Sequence, residues 1–321
     1  MSDLDSHIVY SPASFADIGP HVFPMEKYAG VVRRLREEDG LEDPVEPEPA
    51  SREALLRVHD EAYLEDLDEG VHTPRTLPSE LPISGEIVDF FVLACGGTTR
   101  AARIALRRRW AAHVGGGFHH AFAGKAEGFC YLNDLAVAAA TLLEEGAVER
   151  VTVIDVDVHQ GNGTAAIFAG DDRVFTMSIH QEDNYPIKER GDLDVGLVSW
   201  DRSRAGSPWV EDEAYLESLA PAVERSLEHD PELVLVQCGA DPYRDDQLGG
   251  LRLTLEGLKR RDETVFRACA ERRIPWVVTF GGGYAFDVAD TVAIHLQTIR
   301  TARDVAEEAW GRGGSSEATP S

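Results

Sequence analysis

The segment Val153–Gly163, V-I-D-V-D-V-H-Q-G-N-G, narrows the folds open to this chain more than any other. It grows out of the run Val151-Thr152-Val153-Ile154, whose β-branched character suits a strand buried on both faces. Continued as a strand to Val158, it sets Asp155, Asp157 and His159 at every second position, on one side of an extended chain. Two carboxylates and an imidazole this close resist burial unless a cation or a proton network compensates them. Gly161 and Gly163 follow at once and allow a sharp turn. A bound metal is the simplest reason for such a strand.

The surrounding sequence supplies the matching architecture. Before residue 110 the pattern predicts a short strand at His7–Tyr10 and helices over Met25–Glu38, Arg52–Val58, Asp60–Leu67 and Gly85–Arg109. An acidic, proline-rich linker spans Leu41–Pro49, and a loop with three prolines spans Val71–Ser84. Gly96-Gly97, inside the long helix, marks close packing against a neighbour. From there strands and helices alternate: strands at Ala111–Val114, Val151–Val158, Val174–Ile179, Leu233–Gln237 and Trp276–Phe280, with helices at Asn133–Glu145, Thr164–Phe168, Glu211–His229, Thr254–Arg273 and Asp287–Trp310. This rhythm implies right-handed β-α-β units, hence an α/β fold with a central, mainly parallel sheet and helices on both faces. With 321 residues, 43% of them hydrophobic, the chain suits one large domain or two small ones. The Gly/Ser-rich tail from Gly311 is expected to be disordered.

A net charge of −26 argues against nucleic acid as a partner, because counterion release needs a basic surface. The four cysteines, Cys95, Cys130, Cys238 and Cys269, form no C-x-x-C pair, which suits a reducing compartment rather than a disulfide framework. No apolar run approaches the ~20 residues of a membrane span, and no leader pattern opens the chain. A cytoplasmic protein is expected.

Polar residues that break the core pattern cluster after the predicted strands: G-G-G-F-H-H, D-V-D-V-H, Ser178-Ile179-His180, C-G-A-D and G-G-G-Y. In open parallel sheets the ligand crevice lies at that carboxyl edge. Asp157, His159 and Asp241 make a one-imidazole, two-carboxylate set that leaves coordination positions open, as catalytic sites do. Zinc is the default metal for such a set, with ferrous iron the alternative. His119 and His120, adjacent after three glycines, are poor core material and read as acid/base machinery. Tyr284 could donate its hydroxyl to a carbonyl oxygen as charge develops. Together these parts describe metal-assisted hydrolysis of an acyl bond.

The motifs G-G-G-F-H-H-A, E-G-F-C-Y-L-N-D, D-V-D-V-H-Q-G-N-G-T, G-A-D-P-Y-R-D-D-Q-L-G-G-L and G-G-G-Y resemble, in order, the signatures of zinc-dependent histone deacetylases. Q-G-N-G, Tyr185-Pro186 and D-Q-L-G-G-L resemble the class IV branch and its bacterial relatives. The resemblance implies a single-domain arginase/deacetylase fold over residues 1–310, acting on acyl-lysine or a related acylated amine. It assigns Asp157, His159 and Asp241 to zinc, His120 to the general base, His119 to its electrostatic partner and proton donor, and Tyr284 to carbonyl polarisation. Asp155 would orient His119, and Asn162, where many relatives have Asp, would partner His120. Gly128, Phe129, Tyr185 and Gly282 would line the acyl tunnel. Asp155, Asp157, His159, Ser178 and Ile179 would hold a structural potassium ion. Tyr185 replaces the usual phenylalanine, and the acid that grips the substrate backbone is to be sought near Glu80. Two other readings compete: a two-manganese ureohydrolase, which needs Asp and His ligands where this chain has His119-His120, and a non-catalytic metal- or acyl-binding module. Physiological substrate and oligomeric state are left open by the sequence.

Overall fold

Runs of Val, Ile, Leu and Ala build the centre of the molecule. In the computed structural model, which describes residues 4–201, 203 and 206–311, seven strands form one parallel sheet. They are β1 (Ile8–Val9), β2 (Trp110–His113), β3 (Val151–Asp155), β4 (Val174–Gln181), β5 (Leu193–Leu197), β6 (Leu233–Gln237) and β7 (Trp276–Thr279), in the order β1-β2-β7-β6-β3-β4-β5. Every residue of β2, β3, β6 and β7 is buried, as expected for strands covered on both faces. One helical layer is built on Gly85–Arg108, which packs on β1, β2, β6 and β7 and against Asp134–Glu144. The other contains Asp212–Leu227, Leu255–Glu271 and Val288–Trp310, packed side by side, with Glu26–Glu38 against the last. The α/β architecture with a parallel sheet and two helical layers is therefore the one expected.

Local signals place the helices. Ser84, Asn133, Thr254 and Asp287 each accept a first-turn backbone N–H through the side chain, satisfying donors that have no partner within the helix. Gly96 and Gly97 lie where a Cβ would strike the Glu48 carbonyl and the His113 ring, so the helix approaches its neighbours at backbone distance. All four cysteines are free and buried.

Three sequence expectations need correction. Leu193–Leu197 is an edge strand, although two of its five residues are exposed and its apolar alternation is weak. The proline-rich loop contains a short 3-10 turn at Leu77–Ser79. β3 ends at Asp155, three residues early: the Val156 N–H still reaches the Gln237 carbonyl of β6, but the three amides after it turn to carboxylates. Asp157 N–H donates to Asp155 Oδ1 (3.1 Å), Val158 N–H to Asp241 Oδ1 (2.9 Å) and His159 N–H to Asp157 Oδ1 (2.9 Å). Short acidic side chains compete with the ladder in this way. Beyond residue 311, the predicted tail lies outside the described residues.

A buried ion pair locks the strand ends. Arg261 and Asp262, both buried, pair at 2.8 Å, and Arg261 Nη1 donates to the carbonyls of Gly239 (2.6 Å) and Val156 (3.2 Å). Arg261 thus ties one helix to the loops after β3 and β6. Arg261→Ala would leave the Asp262 charge uncompensated and take a donor from the Gly239 and Val156 carbonyls, so it should cost about 3–5 kcal/mol of stability, measured by urea denaturation. A loss under 1 kcal/mol would show that the loops hold themselves.

Candidate active site

The ends of β2, β3, β6 and β7 bring the candidate residues together. Asp157, His159 and Asp241 are buried and each offers a ligand atom, all within 4.8 Å of one another. His159 Nδ1 lies 3.1 Å from Asp157 Oδ1 and 3.1 Å from Asp241 Oδ2. Burial and the Asp157 charge push Asp241 up to about 7. Burial lowers His159 while its two carboxylate hydrogen bonds outweigh that and carry it to about 10. Two buried carboxylates and an imidazole converging on one point suit a divalent cation of mixed N/O preference.

The carboxylates are aimed by neighbouring groups, of which Gln237 carried no sequence signal. Gln237 Nε2 and the Gly282 N–H both donate to Asp157 Oδ2 at 2.9 Å. Gly282, expected on the tunnel wall, lies against Asp157 and Asp241, where a Cβ would collide with both carboxylates. Gly282→Ala should therefore weaken divalent-metal affinity by about 10–100-fold, as the loss of other ligand-orienting contacts does. Chelator competition measures this, and wild-type affinity would mean that the carboxylates shift without cost.

His119 and His120 are held differently. Their rings lie 4.0 Å apart. His119 Nδ1 meets Asp155 Oδ2 at 2.6 Å, and His120 Nδ1 meets Asn162 Oδ1 at 2.8 Å. Burial disfavours charge on both. At His119 the Asp155 and Asp157 carboxylates outweigh it and raise the imidazole. At His120 burial is joined by repulsion from His119 and His159, which drives that ring well below its ordinary range. The two surroundings therefore bias the pair in opposite directions, His119 toward the charged form and His120 toward the neutral one.

The loop that carries them is tied down by the L-N-D motif. Asp134 accepts the N–H groups of Gly117 and Phe118, and Asn133 Nδ2 donates to the carbonyls of His119 and Ala121. Gly117, at φ +106°, abuts the backbone of Gly281, an approach and a conformation that glycine makes possible.

Above this floor is a cavity of about 190 Å³ with Phe129 and Tyr185 on its walls, His120, His159 and Tyr284 at its base, and Glu80 and Leu248 also lining it. The Tyr185 ring meets His120 edge-on at 5.4 Å, and Phe129 meets Tyr284 at 5.9 Å. A Cβ on Gly128 would strike both His120 and the Tyr185 hydroxyl. Tyr284 is aimed by the D-D-Q motif: its N–H donates to Asp246 Oδ2 (2.7 Å) and its carbonyl accepts from Gln247 Nε2 (2.9 Å). Burial and the Asp241 and Asp157 charges keep its hydroxyl protonated.

Glu80, in the loop singled out for a rim acid, adopts a left-handed φ of 62°. Ser178 stands beside Asp155 in the β3–β4 register, with Ile179 the next residue of β4. Sequence reading missed Gln237, Glu127 and Lys27. Lys27 is fully buried beneath the site, where it donates to the Gly281 carbonyl at 2.6 Å and burial lowers it to about 8. Its only signal was a lysine on the apolar face of a predicted helix.

Comparison with known proteins agrees with this geometry. Residues 21–299 match the histone deacetylase domain. The chain is 39% identical over 305 residues to an uncharacterised protein of Picosynechococcus sp., covering 93% of this chain and 98% of that one. It is 33% identical over 311 residues to histone deacetylase 2 of Arabidopsis thaliana, covering 91% and 78% respectively. The solved HDA15 HD domain superposes with a TM-score of 0.74 at 21% identity, covering 95% of this chain and 96% of that one, and shares its fold. The chain belongs to the histone deacetylase family, within the arginase/deacetylase superfamily. That membership supports a hydrolase of the deacetylase type. Among the described residues no helix is long and apolar enough to cross a membrane.

Proposed function

We propose that this protein is a zinc-dependent amidohydrolase that removes acyl groups from N-acyl-lysine or related acylated amines, working as a single catalytic domain over residues 1–310 in the cytoplasm. The observation that carries the reading is the pair of differently held histidines, His119 on the Asp155 carboxylate and His120 on the Asn162 amide, at the foot of a narrow, aromatic-walled cavity beside three converging metal-type donors.

Asp157, His159 and Asp241 would hold the metal. Bound there, zinc, or ferrous iron in its place, supplies Lewis acidity toward the scissile carbonyl and toward water. The rest falls to the protein's own side chains. His120 is neutral, and Nδ1–H donation to Asn162 leaves its Nε2 lone pair free to take the water proton. His119, kept charged by Asp155, stabilises developing negative charge and gives a proton to the departing amine. The Tyr284 hydroxyl donates to the carbonyl oxygen as charge accumulates there. Phe129 and Tyr185 would grip the apolar stem of the substrate, and Glu80, in the lining of the cavity, would accept its backbone N–H. Pairing of Asp155 with Ser178 across β3 and β4 sets hard oxygen donors side by side, which supports a structural potassium ion held by Asp155, Asp157, His159, Ser178 and Ile179.

Turnover of matched acetyl-lysine, long-chain acyl-lysine and acetylpolyamine substrates tests the assignment. Hydrolysis of acyl-lysine with inhibition by hydroxamates is the expected result. Preference for acetylpolyamine would move the substrate class, and binding without hydrolysis of any acyl chain would sink the enzyme reading.

A further inference from the structure

Glu127 stands behind the His120–Asn162 pair. The Asn162 amide receives His120 Nδ1 at its oxygen (2.8 Å), and its Nδ2 donates to Glu127 Oε1 (2.9 Å). Only this orientation satisfies both ends. The flipped amide would set its acceptor against a carboxylate and its donors against the ring N–H. A carboxylate on the nitrogen side polarises the amide, and the extra negative charge on Oδ1 strengthens the bond that His120 makes. Glu127 is itself anchored. Its second oxygen pairs with Lys125, and its side chain is 14% exposed. Its backbone closes a two-way bridge with Cys130. The anchor therefore fixes the carboxylate before any substrate arrives.

We infer that Glu127 is a positioning residue for His120, acting through Asn162, so that an amide backed by a carboxylate does the work of a carboxylate in direct contact. The inference rests on the base role proposed for His120. It also explains why asparagine suffices at position 162: the charge is set one bond further back, away from the Asp157 carboxylate that already crowds the two histidines.

The test uses Glu127→Gln, which keeps an oxygen toward Asn162 and removes the charge, in the metal-loaded full chain. Selective ¹⁵N-histidine labelling reads the His120 Nδ1–H proton by NMR without any turnover. The expected result is an upfield move of that resonance, with kcat down about tenfold and KM within about twofold. In an Asn162→Asp background, where a carboxylate meets His120 directly, the cost of Glu127→Gln should shrink below about twofold. Equal costs in the two backgrounds, or an unmoved resonance, overturn the inference. A protein inert toward every acylated amine whose resonance still moves would overturn the proposed reaction and leave the relay standing.

Discussion

His120→Ala lowers kcat by about 10²–10⁴-fold, the contribution typical of a positioned general base, while metal content stays at the wild-type level. The expectation follows from how the ring is held. His120 is buried at the base of the cavity, and burial together with repulsion from the adjacent His119 disfavours its protonation. Its Nδ1 is committed to Asn162, so one nitrogen remains for the substrate side. Alanine removes the proton acceptor without touching Asp157, His159 or Asp241. Steady-state turnover of the best acyl substrate, paired with elemental analysis for bound metal, separates lost chemistry from a lost site. Near wild-type turnover in this variant would assign the base elsewhere.

Tyr284→Phe should cost about 10²–10³-fold in kcat, the scale of one oxyanion donor, with little change in KM. The substitution removes a single oxygen. The ring keeps its contacts with Phe23 and Phe129, and the turn beneath stays pinned by Asp246 and Gln247. Because the buried hydroxyl beside Asp241 and Asp157 stays protonated, it is a donor throughout the working pH range. A hydrogen bond that strengthens only as the carbonyl becomes an oxyanion acts on kcat, whereas one made equally to bound substrate would appear in KM. A variant with raised KM and intact kcat would recast Tyr284 as a wall of the tunnel.

Much of the fold was legible because its signals are local. Periodicity marked six of the seven strands, and the helices Gly85–Arg108 and Asp134–Glu144 lie within a residue of where the pattern put them. The edge strand Leu193–Leu197 escaped because one of its faces meets solvent and its residues alternate half-buried and exposed before a buried leucine. The bend after Asp155 escaped for a different reason. A run of alternating residues reads as extended, and nothing nearby in sequence reveals that Asp241, more than eighty positions on, will capture the Val158 amide.

The chain's own sequence determined that a buried parallel sheet carries acidic and histidine residues at its carboxyl edge, because strand burial and turn chemistry are written in neighbouring residues. It also placed Asp157, His159, Asp241, His119, His120 and Tyr284 among the candidates. The tertiary structure alone decided which side chain polarises which. It gave His119 a carboxylate and His120 an amide, set Gly282 under the metal donors, buried Lys27 beneath the floor and put Glu127 behind Asn162. Hydrogen bonds of about 3 Å and the loss of water around them act only between groups that folding has already brought together, and no pattern along the chain encodes that distance.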